Sequence, residues 1–131
     1  MPIRTIAEMK ANKAGENILL PRSASCSPND MTEVSLGYSE VPPGGTIRAH
    51  THNRLEVYIV VSGQARMMAG DDIREVSAGD VLIAPSGAAH AVRVIGDQPL
   101  VYYALNSPPA ATEPMQDAPA EMQRRFDNSA E

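Results

Sequence analysis

Gly44-Gly45-Thr46-Ile47-Arg48-Ala49-His50-Thr51-His52-Asn53-Arg54-Leu55-Glu56, closed by Gly63, is the stretch on which the reading of this chain turns. In an extended strand, side chains at i and i+2 leave the same face, so His50 and His52 project together with Cβ atoms roughly 6–7 Å apart. Two imidazoles so placed can meet one metal ion. Asn53-Arg54 has turn character, so Glu56-Val57-Tyr58-Ile59-Val60-Val61 is expected to return as the neighbouring strand with a carboxylate beside the histidines. Glu56 sits between Leu55 and an apolar run, where an unpaired charge is costly unless a cation neutralises it. A fourth donor follows in Gly79-Asp80-Val81-Leu82-Ile83-Ala84-Pro85-Ser86-Gly87-Ala88-Ala89-His90, and these are all three histidines of the chain.

Short strands flank this stretch on both sides. Upstream, the run from Met31 to Val41 is apolar at Met31 and then at alternate positions from Val34 to Tyr38, with Val41 off phase, as in a half-buried strand containing a bulge. Pro42-Pro43-Gly44-Gly45 then ends pairing and turns the chain. Downstream, Gln64 to Ala69 and Ile73 to Val76 flank a hairpin signal at Gly70-Asp71-Asp72. Asp80 to Ala84, Ala91 to Ile95 and Leu100 to Leu105 are three further strands separated by Gly- and Pro-containing turns. Such a series, without a long 3.6-residue period, implies an all-β sandwich or barrel.

The ends read differently. Residues 1–12 permit a short helical turn, Asn17-Ile18-Leu19-Leu20 a first strand ended by Pro21, and Ser23 to Asp30 a polar loop. From Ser107 the Pro/Ala-rich segment is an extended arm, after which Ala118 to Asp127 allows a short helix with Met122 and Phe126 four apart. The expected organisation is an N-terminal segment over 1–30, a barrel over 31–107 and an arm over 108–131.

At 131 residues the chain is one domain's worth. A formal charge of −5 and a pI near 5.1 argue against a nucleic-acid partner, which asks for a basic face. No uninterrupted apolar run approaches ~20 residues and the start lacks a signal-peptide core, so no membrane partner and a cytoplasmic location are expected. The lone Cys26 excludes an intrachain disulfide and reads as a small apolar side chain rather than a nucleophile.

The two histidine-bearing stretches resemble the paired motifs of the cupin superfamily. The first motif is matched at Gly44, His50, His52, Glu56 and Gly63, and the second at Gly79, Pro85, Gly87 and His90, with Val94 where asparagine is usual. The resemblance spans residues 44 to 94 and, with the flanking strands, about 31 to 107. It implies a double-stranded β-helix, or jelly-roll, barrel in which His50, His52, Glu56 and His90 hold one divalent transition metal ion. Three imidazoles and a carboxylate suit Fe, Mn, Ni, Co, Cu or Zn rather than Ca or Mg. An octahedral ion then keeps two positions for water, dioxygen or a substrate. Cupins commonly pair through an outer sheet face, and the apolar runs at Val57 to Val61 and Leu100 to Leu105 exceed what one barrel needs, so a homodimer is expected.

Strand parity adds candidates around the ion. Arg48 shares the parity of His50 and His52 and is expected to point into the cavity and clamp a substrate carboxylate, the alternative being an arginine that reaches to the barrel mouth. Tyr58 follows Glu56 inward as a candidate proton donor. Arg66, Met68 and Tyr102 are candidate substrate contacts, with Tyr103 a further hydroxyl nearby, and each tyrosine has the alternative of a ring packed in the core. Val92 and Val94 make the surroundings of His90 apolar. Three functions fit: a metal-dependent enzyme for isomerisation, decarboxylation or elimination of a carbonyl, carboxylate or enol compound, an Fe(II)-dependent dioxygenase, and a protein that binds a small ligand without turnover.

Overall fold

The computed structural model describes residues 34–108 and 116–129, together with Ala7 and the backbone of Ser23–Ser25. The helical turn expected over 1–12, apart from Ala7, which is helical, and the strand expected at Asn17 to Leu20 lie outside the described residues. The elements bounded within the described residues are, in order, β1 Ser23–Ser25, β2 Ser35–Val41, β3 Thr46–Thr51, β4 Leu55–Ser62, β5 Gln64–Ala69, β6 Asp72–Val76, β7 Val81–Ala84, β8 His90–Ile95, β9 Leu100–Ser107, β10 Gln116–Asp117 and α1 Ala120–Asp127.

The strands form two antiparallel five-stranded sheets, ordered β1-β2-β9-β4-β7 and β10-β3-β8-β5-β6. Alternation along each strand supplies the facing apolar layers. Val41, Tyr58, Val60, Leu82, Ala84, Leu100, Tyr102 and Ala104 of the first sheet meet Ile47, Ala65, Met67, Val92 and Val94 of the second in one core. Burying each of the larger side chains contributes about 1.5–3 kcal/mol, and the layer between the sheets is where the histidines also project. The turns are those the glycines allow, with Gly70 at φ +59° between β5 and β6.

Two local expectations are corrected. Ser23–Ser25, expected within a loop, is a strand paired with β2 in the register Ser23 to Ser39. Its small polar side chains gave no alternation to read, and edge pairing needs only backbone groups. The strand ending at Val41 carries no bulge, since its pairing with β9 runs in unbroken register from Ser35–Asn106 to Val41–Leu100. The phase change in its apolar pattern has another cause. Leu36 and Tyr38 pack with Val101 and Tyr103 in a separate cluster, while Val41 belongs to the core between the sheets. Both faces of β2 therefore carry apolar residues, and a two-residue period shows only one of them at a time.

Helix α1 lies against the outer face of the second sheet, where Phe126 is buried with Ala49, Met68, Ala89 and Ala91 and Met122 packs alongside. Eight residues make a marginal helix in isolation. Glu121 in the first turn and Arg124 and Arg125 in the last oppose the helix dipole favourably, and the Phe126 contact fixes the helix to the sheet. Among the described residues no helix is long and apolar enough to cross a membrane.

Candidate metal centre

His50 and His90 face one another across the β3–β8 pair, and their ring centroids are 4.0 Å apart. His52 follows at the end of β3, 4.7 Å from His90 by the same measure. Glu56 enters from β4 on the opposite sheet. One donor atom from each of the four residues lies within 4.8 Å of the others, and all four residues are buried.

Hydrogen bonding assigns the imidazole tautomers. Nδ1 of His50 lies 2.9 Å from the Arg48 carbonyl, that of His90 3.0 Å from the Ala88 carbonyl, and that of His52 3.2 Å from the Arg54 carbonyl. A carbonyl only accepts, so each Nδ1 carries a proton and Nε2 is the nitrogen turned inward, able to donate to a carboxylate when protonated or to bind a cation when not. Burial and the neighbouring His90 push His50 down to about 4, so its ring is neutral at pH 7. Nε2 of His52 and of His90 lie 2.9 and 3.0 Å from the same Glu56 oxygen, Oε1. An imidazole nitrogen and a carboxylate oxygen at this distance need a proton or a cation between them. Burial alone would raise Glu56, but the hydrogen bonds and charges of His52 and His90 outweigh it and hold the carboxyl well below its usual range. A buried anionic oxygen among imidazole nitrogens is a donor set that fits a transition metal ion.

A second layer orients Glu56. Its Oε2 accepts from Asn106 Nδ2 at 3.0 Å, and Asn106 Oδ1 accepts from Arg54 Nε at 2.8 Å. Arg54 and Asn106 are both buried. Neither was anticipated from sequence. A signal existed for Asn106, which continues the inward parity of Leu100, Tyr102 and Ala104 as the one polar member. Arg54 had none, because it lies in the Asn53-Arg54 bend, where parity is undefined.

The other candidate residues separate into two groups. Tyr58 is inside, with its ring 5.9 Å from that of His90. Burial, and then the Glu56 carboxylate, push its phenol well above the ordinary value, so it holds its proton. Tyr102 is also inside, 4.7 Å from the Tyr58 ring. Its hydroxyl is sealed from solvent, and burial raises it too, against a smaller opposing effect of the Ser39 side chain. Tyr103 faces the other way, edge-on to Tyr38.

Arg48, Arg66 and Met68 do not join the histidines. Ile47 pairs with Val92 and His50 with His90, so three residue steps on β3 answer two on β8. This bulge breaks the alternation that would have aimed Arg48 inward. Its guanidinium instead pairs with Asp117 at 2.7 Å, and the side chain is 53% exposed. On β5 it is Ala65 and Met67 that enter the core. Arg66 therefore points outward, where it donates to Ser129 Oγ at 3.1 Å, and Met68 lies beneath Phe126. Val92 and Val94, which follow His90 on β8, are buried in the core layer.

Comparison with known proteins adds a family and a fold. The family profile described as Cupin domain matches residues 37–106. An H2HPP isomerase of Bacillus subtilis is 37% identical over 71 residues, which are 53% of this chain and 29% of that protein. A 5-nitrosalicylic acid 1,2-dioxygenase of a Bradyrhizobium species is 24% identical over 70 residues, 53% of this chain and 34% of that protein. The chain thus spans about a third or less of the length of these two relatives. A Cupin 2 conserved barrel domain protein of Salinispora arenicola shares the fold with a TM-score of 0.67 at 23% identity, over 99% of this chain and 98% of that one.

Proposed function

The chain belongs to the cupin family, and from that premise we propose that His50, His52, Glu56 and His90 hold one divalent transition metal ion in a small-molecule enzyme. The reaction class is isomerisation, decarboxylation or elimination of a carbonyl, carboxylate or enol compound. The observation that carries this reading is the convergence of two Nε2 atoms on one Glu56 oxygen, with His50 alongside. When bound, the ion supplies Lewis-acid polarisation of a substrate oxygen. The chain's own residues do the rest. Asn106 holds one Glu56 oxygen and leaves the other turned to the imidazoles. Tyr58 keeps its proton and can donate it, but is no base near pH 7. Burial of all four residues strengthens every charge interaction among them. Arg48 is not carried into this proposal.

The isomerase among the relatives supports this reading, and the dioxygenase supports a second one, an Fe(II)-dependent oxygenase on the same four residues. Elemental analysis of the isolated protein, then a screen of keto, enol and carboxylate compounds with and without air, separates them. Conversion without oxygen by protein loaded with several different divalent ions is the expected result. Oxygen consumption that requires iron supports the second reading instead. A compound that raises thermal stability and is recovered unchanged supports binding without turnover. Failure to take up any transition metal at neutral pH overturns all metal-dependent readings.

We also propose a homodimer formed through the outer face of the first sheet. Cross-strand pairing builds two apolar rows there, Leu36-Leu105-Val57-Ile83 and Tyr38-Tyr103-Ile59-Val81. Ile59, Val81 and Ile83 are 37–59% exposed. A contiguous apolar face of this kind is unusual on a monomer, and a flat face can meet its own two-fold copy. Light scattering after gel filtration is expected to give twice the chain mass for the parent and one chain mass for Ile83→Glu. A parent that is monomeric at micromolar concentration excludes the dimer.

A further inference from the structure

We propose that Gln123, on the outer helix, is a positioning residue for His50 that acts through the backbone of Ala49. The inference rests on the metal-centre reading above and extends it to the C-terminal segment. Strand β3, which carries His50 and leads into His52, would be a sheet edge but for the two residues of β10, which pair Gln116 with Thr51 and Asp117 with His50. The ladder is continued once more, by the Ala118 N–H donating to the Ala49 carbonyl at 3.0 Å. There the chain leaves the sheet, because Pro119 precedes helix α1. The Ala49 N–H is left without a backbone acceptor, and Gln123 Oε1 fills that place at 2.6 Å.

Ala49 is one of the extra residues of the bulge, and the bulge sets the phase of His50. With Ile47 facing the core, strict alternation would turn residue 49 inward and His50 out. The two-for-one step at Arg48 and Ala49 reverses this, so that His50 faces His90. A bulge loses part of its ladder to the partner strand, and the arm restores it from the other side at both polar groups of Ala49. The helix that bears Gln123 is seated on its own account. Phe126 fills a socket of Ala49, Ala89 and Ala91, neighbours of His50 and His90. Arg93 lies 4.8 Å over the Phe126 ring, and Arg125 pairs with Asp71 at 3.0 Å. Gln123 therefore arrives at Ala49 already ordered.

The test uses cobalt(II) as the probe, with affinity from calorimetric titration and ligand geometry from the visible absorption bands. Gln123→Leu keeps the bulk and removes the acceptor. It is expected to weaken cobalt binding about 10- to 100-fold, as loss of an orienting partner of a ligand does, and to shift the bands. Gln123 Nε2 donates to Asp127 at 2.9 Å, so Gln123→Glu is made together with Asp127→Asn; the pair retains an accepting oxygen for Ala49 without opposing carboxylates and is expected to bind like the parent. Arg125→Ala loosens the helix without touching Ala49 and is expected to change the affinity less than about twofold, by the size of an exposed ion pair. Parent-like affinity and bands in Gln123→Leu would falsify the proposal while leaving the metal centre standing. Equal weakening in Gln123→Leu and Arg125→Ala would also overturn it, as general detachment of the helix. A parent protein that binds no cobalt overturns the metal reading and this inference with it.

Discussion

In the His90→Ala protein, saturating divalent metal is expected to leave the unfolding temperature where it stands in chelator, whereas the same addition raises it in the parent. A ligand present at 100 times its dissociation constant stabilises the state that binds it by about 2.7 kcal/mol. For a chain of this length that corresponds to a shift on the order of 10 °C. His90 is the sensitive position because it is fully buried, and because it is in ring contact with His50 and His52 and in hydrogen-bond contact with Glu56. Its loss leaves Glu56 with His52 as its imidazole partner and takes away one of three nitrogens. Parallel thermal scans in chelator and in zinc check the result. An equal gain in both proteins would remove His90 from the ligand set.

The largest loss of stability is expected at Gly63, between β4 and β5. Its φ of +86° is one that L side chains rarely adopt, and a Cβ there would run into the Pro99 carbonyl oxygen and within 2.9 Å of Leu100 Cα. Both are backbone atoms, and Leu100 is fully buried, so no side-chain rotation relieves the clash. Gly63→Ala is expected to cost at least about 4 kcal/mol, in the range reserved for severe steric damage. Gly70 is the comparison, because its φ is also positive but nothing lies within 4 Å of the added methyl group. Gly70→Ala is expected to cost about 1–2 kcal/mol, the left-handed conformational penalty alone. Urea denaturation of the two variants measures the difference. Equal midpoints would show that the β4–β5 turn can move away from Pro99.

These two glycines show how motif spacing and packing divide the information. A glycine seven residues after Glu56 is visible in the sequence. That it abuts Pro99 and Leu100, residues far along the chain, is a property of the assembled sheets. The same holds on β5, where Arg66 and Met68 were candidates for the inner wall. The alternation Ala65, Arg66, Met67, Met68 contains apolar residues in both phases, so hydropathy could not choose a face. Pairing with β8 chose it, by setting Ala65 against Val94 and Met67 against Val92.

The all-β architecture, the strand boundaries from β3 to β9 and the convergence of His50, His52, Glu56 and His90 were legible along the chain. The architecture and strands depend on short-range quantities, two-residue alternation and turn residues at intervals; the spacing of His50, His52 and Glu56 is equally local, while the joining of His90 to them was implied by the resemblance to the paired motifs. The aim of Arg48, the Arg54–Asn106–Glu56 relay and the seat of Gln123 on Ala49 emerged with the folded molecule. A bulge exists only relative to the strand it pairs with, and a buried polar side chain takes whichever partner the opposite sheet brings within about 3 Å. Both are long-range relations, so no local pattern of residues encodes them.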